Sequence, residues 1–448
     1  MSQLPFLKYH GPESVIAWRN GTAITQADFL ADVATLARRL PDSAYVINLC
    51  DDRYRFLVGL AAALTRKQIN LLPPSRAHRV LQQISLSYPG TYCLTDHPED
   101  LQNLSVLHYP DDCSEHADSD TMPAFDADQP AVIAFTSGST GHPTPHAKTW
   151  GALVTGAALT ALRFGLEQLR GGIIIGTVPH QHMYGLESTI LLPAQSGMAT
   201  LSGRPFFPAD IATALAATPS PRVLITTPVH LRACISVDMP LPGATLVISA
   251  TAPLAPALAI RAEQLLAAPV YEIYGSTETG AIASRRTLAG DAWQAYDTVT
   301  FKADNTACHV SAAHLAASVR LNDMIRIQNE REFILCGRSS DLINIAGKRV
   351  SLGDLNHKLN EIPGVIDGVF HMPAESEGRV TRLMAFVVAP DKSAQEIMAQ
   401  LRRVLDPAFL PRPLLLVETL QRSETGKLPQ AQLAKLVIQA AKTEKQLA

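Results

Sequence analysis

The chain of 448 residues is too long for one compact core and suits two or more domains. With 47% hydrophobic and 18% charged residues it has the composition of a folded protein, and its net charge of −3 without a long basic run disfavours nucleic acid as a main partner. Because no apolar stretch is long enough to span a bilayer and the start lacks a signal pattern, we expect a cytoplasmic protein without a membrane span.

Short β-like runs alternate with helix-like runs, which predicts layered α/β architecture. The acidic, weakly periodic stretch 111–130 is typical of a surface connection. The predicted strands are 44–49, 69–72, 131–135, 172–178, 222–225, 245–249 and 270–274, and the predicted helices are 56–65 and 150–162.

The last quarter of the chain changes character. Residues 325–335 indicate a β-hairpin around Asn329-Glu330, residues 365–371 and 382–388 indicate strands, and residues 394–405 indicate a helix. We therefore place a domain boundary near 338–341, between an N-terminal domain of residues 1–338 and a C-terminal domain of residues 339–448.

Six cysteines are scattered without a CxxC pair or a Cys/His cluster, which disfavours a zinc site and a disulfide framework. We expect buried free thiols at these positions. They are Cys50, Cys93, Cys113, Cys234, Cys308 and Cys336.

A Ser/Thr/Gly loop, TSGSTGHPTPHAK, lies between a predicted strand and a predicted helix at residues 136–148. Glycines and hydroxyls in this setting suit a phosphate, to which a helix N-terminus would add partial positive charge. The loop lacks the Gly-Lys-Ser/Thr ending of a kinase or GTPase P-loop, and a flexible surface loop is the alternative. The candidate phosphate-binding residues are Thr136, Ser137, Gly138, Ser139, Thr140 and Gly141.

A second motif, YGSTETG, follows the predicted strand 270–274. The ring of Tyr274 can stack on a purine, and a lone carboxylate at Glu278 suits Mg²⁺, which keeps few protein ligands beside substrate phosphates. The alternative is an ordinary strand-ending turn with a solvated Glu278.

Two further motifs lie in the last quarter. In GRSSD, Arg338 offers a fork of donors for ribose hydroxyls or phosphate, and in RSETGK, Lys427 on a glycine-hinged loop could act as a movable charge. A basic surface turn and an exposed tail lysine are the respective alternatives.

Together, in order and spacing, these four motifs resemble the adenylate-forming superfamily of acyl- and aryl-CoA ligases, nonribosomal-peptide adenylation domains and luciferases. Family forms such as [ST]SG[ST]TGxPK, YGxTE and GRxxDxIKxxGxxV are TSGSTGHPT, YGSTE and GRSSDLINIAGKRV here. The likeness runs from about Gly21 to Gln430.

This resemblance implies a large N-terminal domain of layered sheets and helices that binds ATP and an acid, and a small mobile α+β C-terminal domain. It also implies a role for each matching residue. Ser137 to Gly141 would hold the β- and γ-phosphates, Tyr274 and Gly275 would flank adenine opposite Ser249, Ala250, Thr251, Ala252 and Pro253, Thr277 would touch the α-phosphate, Glu278 would bind Mg²⁺, Asp323 and Arg338 would hold the ribose, and Lys427 would bridge the carboxylate and the α-phosphate.

The implied activity is ATP-dependent conversion of a small carboxylic acid to an acyl-adenylate, with release of pyrophosphate. The acyl group then passes to a thiol of coenzyme A or of a phosphopantetheinyl carrier protein, so an acyl carrier protein is a candidate partner. A catalytically degenerate nucleotide-binding sensor or scaffold is the alternative, and the intact Glu278, Arg338 and Lys427 argue against it.

Three positions depart from the family pattern. Thr144 stands where the phosphate loop has lysine, and Lys148 four residues later is a candidate replacement. Leu321-Asn322 replaces the usual Thr-Gly, and the hinge falls at Ser340 or Asp341.

The segment PHQHMYG resembles the family's entrance to the acid pocket, with His182 as the gate and His180 as a candidate ordinary loop histidine. Amino-acid-activating relatives place an aspartate where this chain has Gly185, so an unpaired ammonium would be costly here. The predicted walls at 225–230 and 249–251 suit an aryl acid such as hydroxybenzoate, or a medium acyl acid. A weaker likeness links the chain to stand-alone ligases of bacterial aryl-polyene clusters.

Overall fold

The computed structural model describes residues 2–9, 11–98, 101, 103–110, 121–137, 143–237, 239–303, 308–338, 341–345, 348–373, 383–422, 428–429 and 432–439. The side chains of residues 137, 338, 342 and 349 fall outside this description.

The strands are β1 (Gln3–Pro5), β2 (Val15–Arg19), β3 (Thr22–Thr25), β4 (Tyr45–Asn48), β5 (Ile69–Leu72), β6 (Tyr92–Thr95), β7 (Ser105–His108), β8 (Ala124–Asp126), β9 (Pro130–Ser137), β10 (Pro143–Thr149), β11 (Ile173–Gly176), β12 (Ala199–Leu201), β13 (Arg222–Thr226), β14 (Leu246–Ser249), β15 (Val270–Ser276), β16 (Gly280–Arg286), β17 (Ala292–Ala295), β18 (Thr300–Ala303), β19 (Cys308–Ser311), β20 (Val319–Arg320), β21 (Asp323–Ile327), β22 (Glu332–Arg338), β23 (Leu342–Ile345), β24 (Lys348–Ser351), β25 (Asp367–His371), β26 (Met384–Val388) and β27 (Leu414–Leu416). The helices are α1 (Gln26–Arg39), α2 (Arg53–Thr65), α3 (His78–Ser87), α4 (Trp150–Arg163), α5 (Met183–Gly185), α6 (Leu192–Ser196), α7 (Pro208–Ala217), α8 (Pro228–Ser236), α9 (Pro256–Leu266), α10 (Leu352–Asn360) and α11 (Ala394–Val404), with a π-helical segment at Leu186–Leu191.

Two large sheets organise the N-terminal part. One has six strands in the order β10-β9-β5-β4-β6-β7, and the other has eleven in the order β21-β22-β17-β16-β15-β14-β13-β11-β12-β2-β3. The neighbouring strands β11, β13, β14 and β15 pair in parallel. Strands β11, β13 and β14 are mostly apolar and buried, as parallel strands covered on both faces are.

Helix α2 is buried around most of its circumference, which fits a helix enclosed by other elements rather than lying on a surface. Asp52 caps its first turn by accepting a hydrogen bond from the Arg55 backbone N–H at 3.0 Å. Helix α2 contacts strands of both sheets, β4 and β5 in one and β12 in the other, so this helix joins the two layers.

The C-terminal part contains two smaller sheets, β23-β24 and β25-β26-β27. Helices α10 and α11 share with them a core that includes Leu355, Phe370 and Ile397. At the end of β22, Gly337 has φ +111, and a Cβ there would lie 2.7 Å from the Ser351 hydroxyl that caps α10. The division of the domains at 338/339 stays a prediction.

The secondary structure confirms most of the sequence predictions and corrects some of them. The predicted α/β layering, the strand 69–72, the hairpin 325–335 and the helix 394–405 are confirmed, with ends within three residues. The predicted connection at 111–130 was wrong in part, because β8 lies within it and pairs with β1. The remainder of that stretch, 111–120, lies outside the described residues.

A second correction concerns the phosphate loop. The helix predicted to follow it directly is preceded by β10, which pairs antiparallel with β9. Helix α4 begins at Trp150 and is capped by Thr149, which pairs with Pro130 at the opposite end of this hairpin. Because the partial charge of a helix terminus falls off within one turn, α4 cannot act on the loop as predicted.

Cys50, Cys93, Cys234 and Cys308 are buried as predicted, whereas Cys336 is exposed, which corrects that expectation for one position. Cys113 lies outside the described residues. Among the helices in the described ranges, none combines the length and the apolarity needed to cross a membrane.

Candidate active site

A closed turn between β15 and β16 presents Thr277 and Glu278. The Ser276 N–H donates to Thr279 Oγ1 at 3.0 Å, and the Thr279 N–H donates to Ser276 Oγ at 3.2 Å. Gly280 has φ +65, which favours glycine because it carries no Cβ. The two hydrogen bonds and this glycine therefore fix the backbone that carries the predicted α-phosphate and metal residues.

The predicted adenine and ribose residues lie together. Tyr274 is buried with its ring edge against Phe333, and its hydroxyl donates to Asp323 Oδ2 at 2.8 Å. Asp323 in turn pairs with Arg338 in the β21–β22 register, although the Arg338 side chain lies outside the description. Asp323 and Arg338 follow Tyr274 by 49 and 64 positions in the chain, and the three positions lie together at one end of the large sheet.

Glu278 is held as a carboxylate. Burial opposes its ionisation, but hydrogen bonds from its own backbone and from Ser276, together with the charges of His146 and Lys148, keep its pKa below the ordinary value. Its Oε1 lies 3.9 Å from His146 Nε2, and the side chain remains about one-third exposed. An ionised, accessible oxygen pair fits the hard, partly hydrated Mg²⁺ ion.

The base of the phosphate loop adjoins Glu278. His146 on β10 lies 3.1 Å from Thr136 Oγ1 on β9 and also faces Glu278, so it lies between the two predicted motifs. Thr144 pairs with Thr136 across the hairpin and is exposed. Gly138, Ser139, Thr140 and Gly141 lie outside the described residues, as does the Ser137 side chain.

Lys148 points under the turn at Glu278. Its Nζ donates to the Glu278 backbone carbonyl at 2.6 Å. Burial lowers its pKa, which the negative charges of Glu187 and Glu278 partly offset. Its side chain therefore has a contact within the protein that the sequence pattern did not predict.

The segment Ser249–Pro253 begins at the last residue of β14, the parallel neighbour of the strand β15 that carries Tyr274. Thr251 has φ +79, which is rare for a β-branched residue and indicates strain held in place by its surroundings. Ser249 Oγ and Thr251 Oγ1 are buried without a hydrogen-bond partner among the described residues. Such orphaned hydroxyls in a segment predicted to face the nucleotide fit a ligand that supplies the missing hydrogen bonds.

The predicted acid-pocket segment is tightly packed where it bends. A Cβ at Gly185 would lie 1.9 Å from the Pro179 carbonyl oxygen, so no acidic side chain fits at this position. Tyr184 directs its hydroxyl at the Thr226 and Ile248 carbonyl oxygens, 3.1 and 3.0 Å away. The packing agrees with the prediction that an amino acid substrate is disfavoured.

The two histidines of this segment differ. His180 is buried, with Nε2 2.8 Å from the Cys50 carbonyl and its ring edge on Phe56, which fits the ordinary structural role predicted for it. Burial and then the charge of Arg53 hold its pKa well below 6.5, so it is neutral and donates from Nε2. His182 is only partly buried and precedes α5, and its role as a gate stays a prediction.

A cavity of about 340 Å³ lies behind the acid segment. It is lined by polar and charged residues that include Asp51, Asp52 and Arg204, and by His180 and Gln181. Among the predicted nucleotide-binding residues that the structure describes, none lines this cavity.

Several residues of this region escaped sequence reasoning. Glu187, a carboxylate in the otherwise uncharged run LESTILLPA, contacts the turn after Glu278, and its position in an apolar run was the available signal. His314 and Arg53 also contact the site from behind, and neither belongs to a recognisable motif. Lys427 and the hinge candidate Ser340 lie outside the described residues.

The sequence profile of a family described as AMP-binding enzyme matches residues 18–316, and the chain belongs to that family. It is similar to 4-coumarate–CoA ligases from Rhodobacter capsulatus, at 32% identity over 60% of this chain and 66% of that protein, and from Halorhodospira halophila, at 30% over 65% and 73%. The chain thus matches just under two thirds of the first relative's length.

Solved structures show the same fold. An o-succinylbenzoate CoA synthetase from Bacillus subtilis, in complex with an acyl-adenylate intermediate, superimposes with a TM-score of 0.81 at 18% identity, covering 97% of this chain and 98% of that one. A benzoate CoA ligase from Burkholderia xenovorans gives 0.76 at 16% identity, covering 94% and 96%. The chain therefore has the fold of adenylate-forming enzymes.

Proposed function

We propose that this protein activates an aryl carboxylic acid with ATP and transfers the acyl group to a thiol. The observation that supports this most directly is the meeting of Tyr274 and Asp323 at 2.8 Å beside a closed turn that presents Thr277 and Glu278. In a chain of the AMP-binding enzyme family, that arrangement offers an adenine platform, a ribose acceptor and a metal-binding carboxylate in sequence along one nucleotide.

The proposed reaction needs positioning and charge neutralisation more than a strong base. A carboxylate oxygen of the acid attacks the α-phosphorus, the bond from that phosphorus to the bridging oxygen breaks, and pyrophosphate leaves. Tyr274 and Asp323 would fix the nucleoside, and Thr277 would donate to the α-phosphate. Mg²⁺, held by Glu278, would supply positive charge to the phosphates. By the family resemblance, Lys427 would join the two reactants.

In the second step a thiol sulfur attacks the acyl carbon of the mixed anhydride, a thioester forms, and AMP leaves with the electron pair of the broken bond. The resemblance implies that the C-terminal domain turns between the two steps and withdraws Lys427. Coenzyme A is the acceptor favoured by the names of the similar 4-coumarate–CoA ligases, and a carrier protein is the second candidate.

Two observations bear on the acid, one against an amino acid and one in favour of an aryl acid. The absence of space for a side chain at Gly185 removes the acidic partner that an amino acid would need. A further similar protein, at 32% identity over 22% of this chain, is a 3-hydroxybenzoate–CoA/4-hydroxybenzoate–CoA ligase from Thauera aromatica. The weaker likeness to aryl-polyene ligases stays a prediction about the acid.

The test is ATP–pyrophosphate exchange with hydroxybenzoates, hydroxycinnamates and medium-chain fatty acids, followed by thioester analysis with coenzyme A and with a phosphopantetheinylated carrier protein. We expect exchange with aryl acids and AMP as product. Binding of ATP without exchange for any acid would favour the sensor or scaffold alternative, and ADP as product would contradict adenylation.

A further inference from the structure

The turn that presents Thr277 and Glu278 is held from behind by three side chains from separate parts of the chain. Lys148 Nζ on β10 donates to the Glu278 carbonyl at 2.6 Å. His314 Nε2, in the connection after β19, lies 2.8 Å from the Thr279 carbonyl, and the Ala281 N–H donates to Glu187 Oε2 at 3.2 Å. Each of the three side chains therefore forms a hydrogen bond with a different backbone group of residues 278–281.

These contacts leave little room for the turn to shift. A Cβ at Gly280 would lie 2.4 Å from Glu187 Oε1, and a Cβ at Gly275 would lie 2.1 Å from the Gly280 carbonyl oxygen. Glu187 itself sits in the π-helical segment Leu186–Leu191, a form that helices adopt mostly as local bulges near functional sites. The turn is thus enclosed by backbone and by the Glu187 carboxylate.

Two of the three side chains, Lys148 and Glu187, also balance charge beneath the turn. The negative charges of Glu187 and Glu278 attract Lys148, and the positive charge of Lys148 disfavours protonation of His314. Since a lone buried charge is costly, a buried lysine beside a buried carboxylate is a compensated arrangement. Because Lys148 is charged, its hydrogen bond to the Glu278 backbone carbonyl is stronger than one from a neutral donor would be.

We propose that Lys148, Glu187 and His314 are positioning residues that fix Thr277 and Glu278 for adenylation. The inference rests on the proposed function for its consequence, but the geometry behind the turn stands without it. It also assigns Lys148 a task other than replacing the lysine missing at Thr144, because its Nζ is committed to the Glu278 carbonyl. None of the three touches the reacting atoms in this assignment.

The first experiment follows backbone amide hydrogen exchange of residues 271–286 in the ligand-free protein by mass spectrometry. Lys148→Met, Glu187→Leu and His314→Leu should each raise exchange in this segment several-fold, because each frees one backbone atom of the turn. Exchange in β4 and α2, which make none of these three contacts, should stay unchanged. Lys302→Met and Glu13→Gln, at exposed positions, are the matched controls.

Conservative variants give the second arm of this experiment. His314→Gln keeps a donor for the Thr279 carbonyl, and Glu187→Gln keeps an acceptor for the Ala281 N–H, so both should exchange more slowly than the leucine variants. If Lys148→Met fails to fold, the double variant Lys148→Met/Glu187→Gln leaves no lone buried charge and takes its place. Unchanged exchange of residues 271–286 in all folded variants would overturn the proposal.

The third arm is kinetic. In ATP–pyrophosphate exchange, we expect Lys148→Met and His314→Leu to lower kcat about 10- to 100-fold, the scale of a misplaced catalytic group, with the KM of the acid within about twofold. A raised acid KM with unchanged kcat would contradict a positioning role.

The two proposals fail in different ways. If the unaltered protein shows no pyrophosphate exchange with any acid, the proposed function fails while the amide exchange still reports on the turn. If the unaltered protein is active and the turn is unaffected by all three substitutions, the positioning residues alone are wrong.

Discussion

Buried charged groups support both sides of the candidate site, a pair of opposite charges on one side and a single cation on the other. Behind the Glu278 turn, Lys148 and Glu187 compensate each other. Behind the acid segment, Arg53 is fully buried, and its guanidinium is directed only at backbone carbonyls in the hydrogen bonds that the structure describes. The first arrangement balances two side-chain charges, whereas the second spreads one charge over carbonyl dipoles.

Arg53 ties together the ends of two neighbouring strands. Its Nη1 donates to the Leu201 and Gly203 carbonyls at 2.8 Å, and its Nη2 donates to the Gly176 and Val178 carbonyls at 3.1 Å. Since Arg53 begins α2, this side chain anchors the start of the acid segment to the helix between the sheets. Burial lowers its pKa to about 9, so it remains protonated at neutral pH.

The difference teaches which part of the site tolerates substitution. A compensated pair can lose both charges together, because neither is then left alone in the interior. In the hydrogen bonds that the structure describes, the Arg53 cation is bound by four carbonyls and by no carboxylate that could be removed with it, so its loss leaves those carbonyls unsatisfied. The acid segment should therefore depend on Arg53 for folding, and the Glu278 turn should depend on Lys148 and Glu187 for precise geometry.

The largest effect is expected for Arg53→Met. The loss of four charge-assisted hydrogen bonds to buried carbonyls should lower the free energy of unfolding by about 3–5 kcal/mol. Urea denaturation followed by circular dichroism measures this change. The double variant Lys148→Met/Glu187→Gln should lose clearly less, and an equal loss would remove the distinction between the two regions.

The next effect concerns Glu187 and pH. Burial raises the pKa of Glu187 to about 7 from an ordinary value of 4.5, against the opposing charge of Lys148. The stability that Glu187 contributes is thus present below pH 4.5 and is lost as the pH rises towards 7, by on the order of 3 kcal/mol. Glu187→Gln should flatten this slope in unfolding titrations. A slope that survives the substitution would assign it to other groups.

A catalytic contrast comes from Glu278→Gln, on the front of the same turn. Replacement of the carboxylate by an amide removes its charge while keeping its size, so we expect pyrophosphate exchange to fall about 100-fold. A titration of activity with Mg²⁺ should show that half-maximal activity needs a higher Mg²⁺ concentration, because the metal ion binds more weakly. An unchanged Mg²⁺ response would place the metal elsewhere, and the thermal midpoint of unfolding serves as the folding control.

The smallest effect is expected for His180→Gln, behind the acid segment. The amide keeps a donor for the Cys50 carbonyl but loses the ring contact with Phe56, so the cost should be about 1 kcal/mol. Because burial holds the pKa of His180 well below 6.5, its contribution is present above pH 6.5 and is lost as the pH falls. The substitution should flatten the acid side of the stability curve, opposite in sign to Glu187→Gln.

The sequence was sufficient for features whose signal is local. The apolar strands, the YGSTE turn after β15 and the hairpin that brings Asp323 opposite Arg338 all follow from composition, period and motif over short stretches. The strand β10 was missed because its residues, PTPHAKT, contain two prolines and read as a loop. Pairing with β9 at the edge of the sheet outweighs this weak propensity.

By itself, then, the sequence determined the α/β class and the order of the motifs, and it predicted Tyr274, Glu278 and Arg338 as residues of the site. Only the tertiary structure decided that Lys148 reaches the Glu278 carbonyl and that Glu187 and His314 meet the same turn. The physical reason is distance along the chain, since the bonded residues are separated by 130, 94 and 35 positions. Contacts of that kind follow from how strands and helices pack, and no local pattern of residues encodes them.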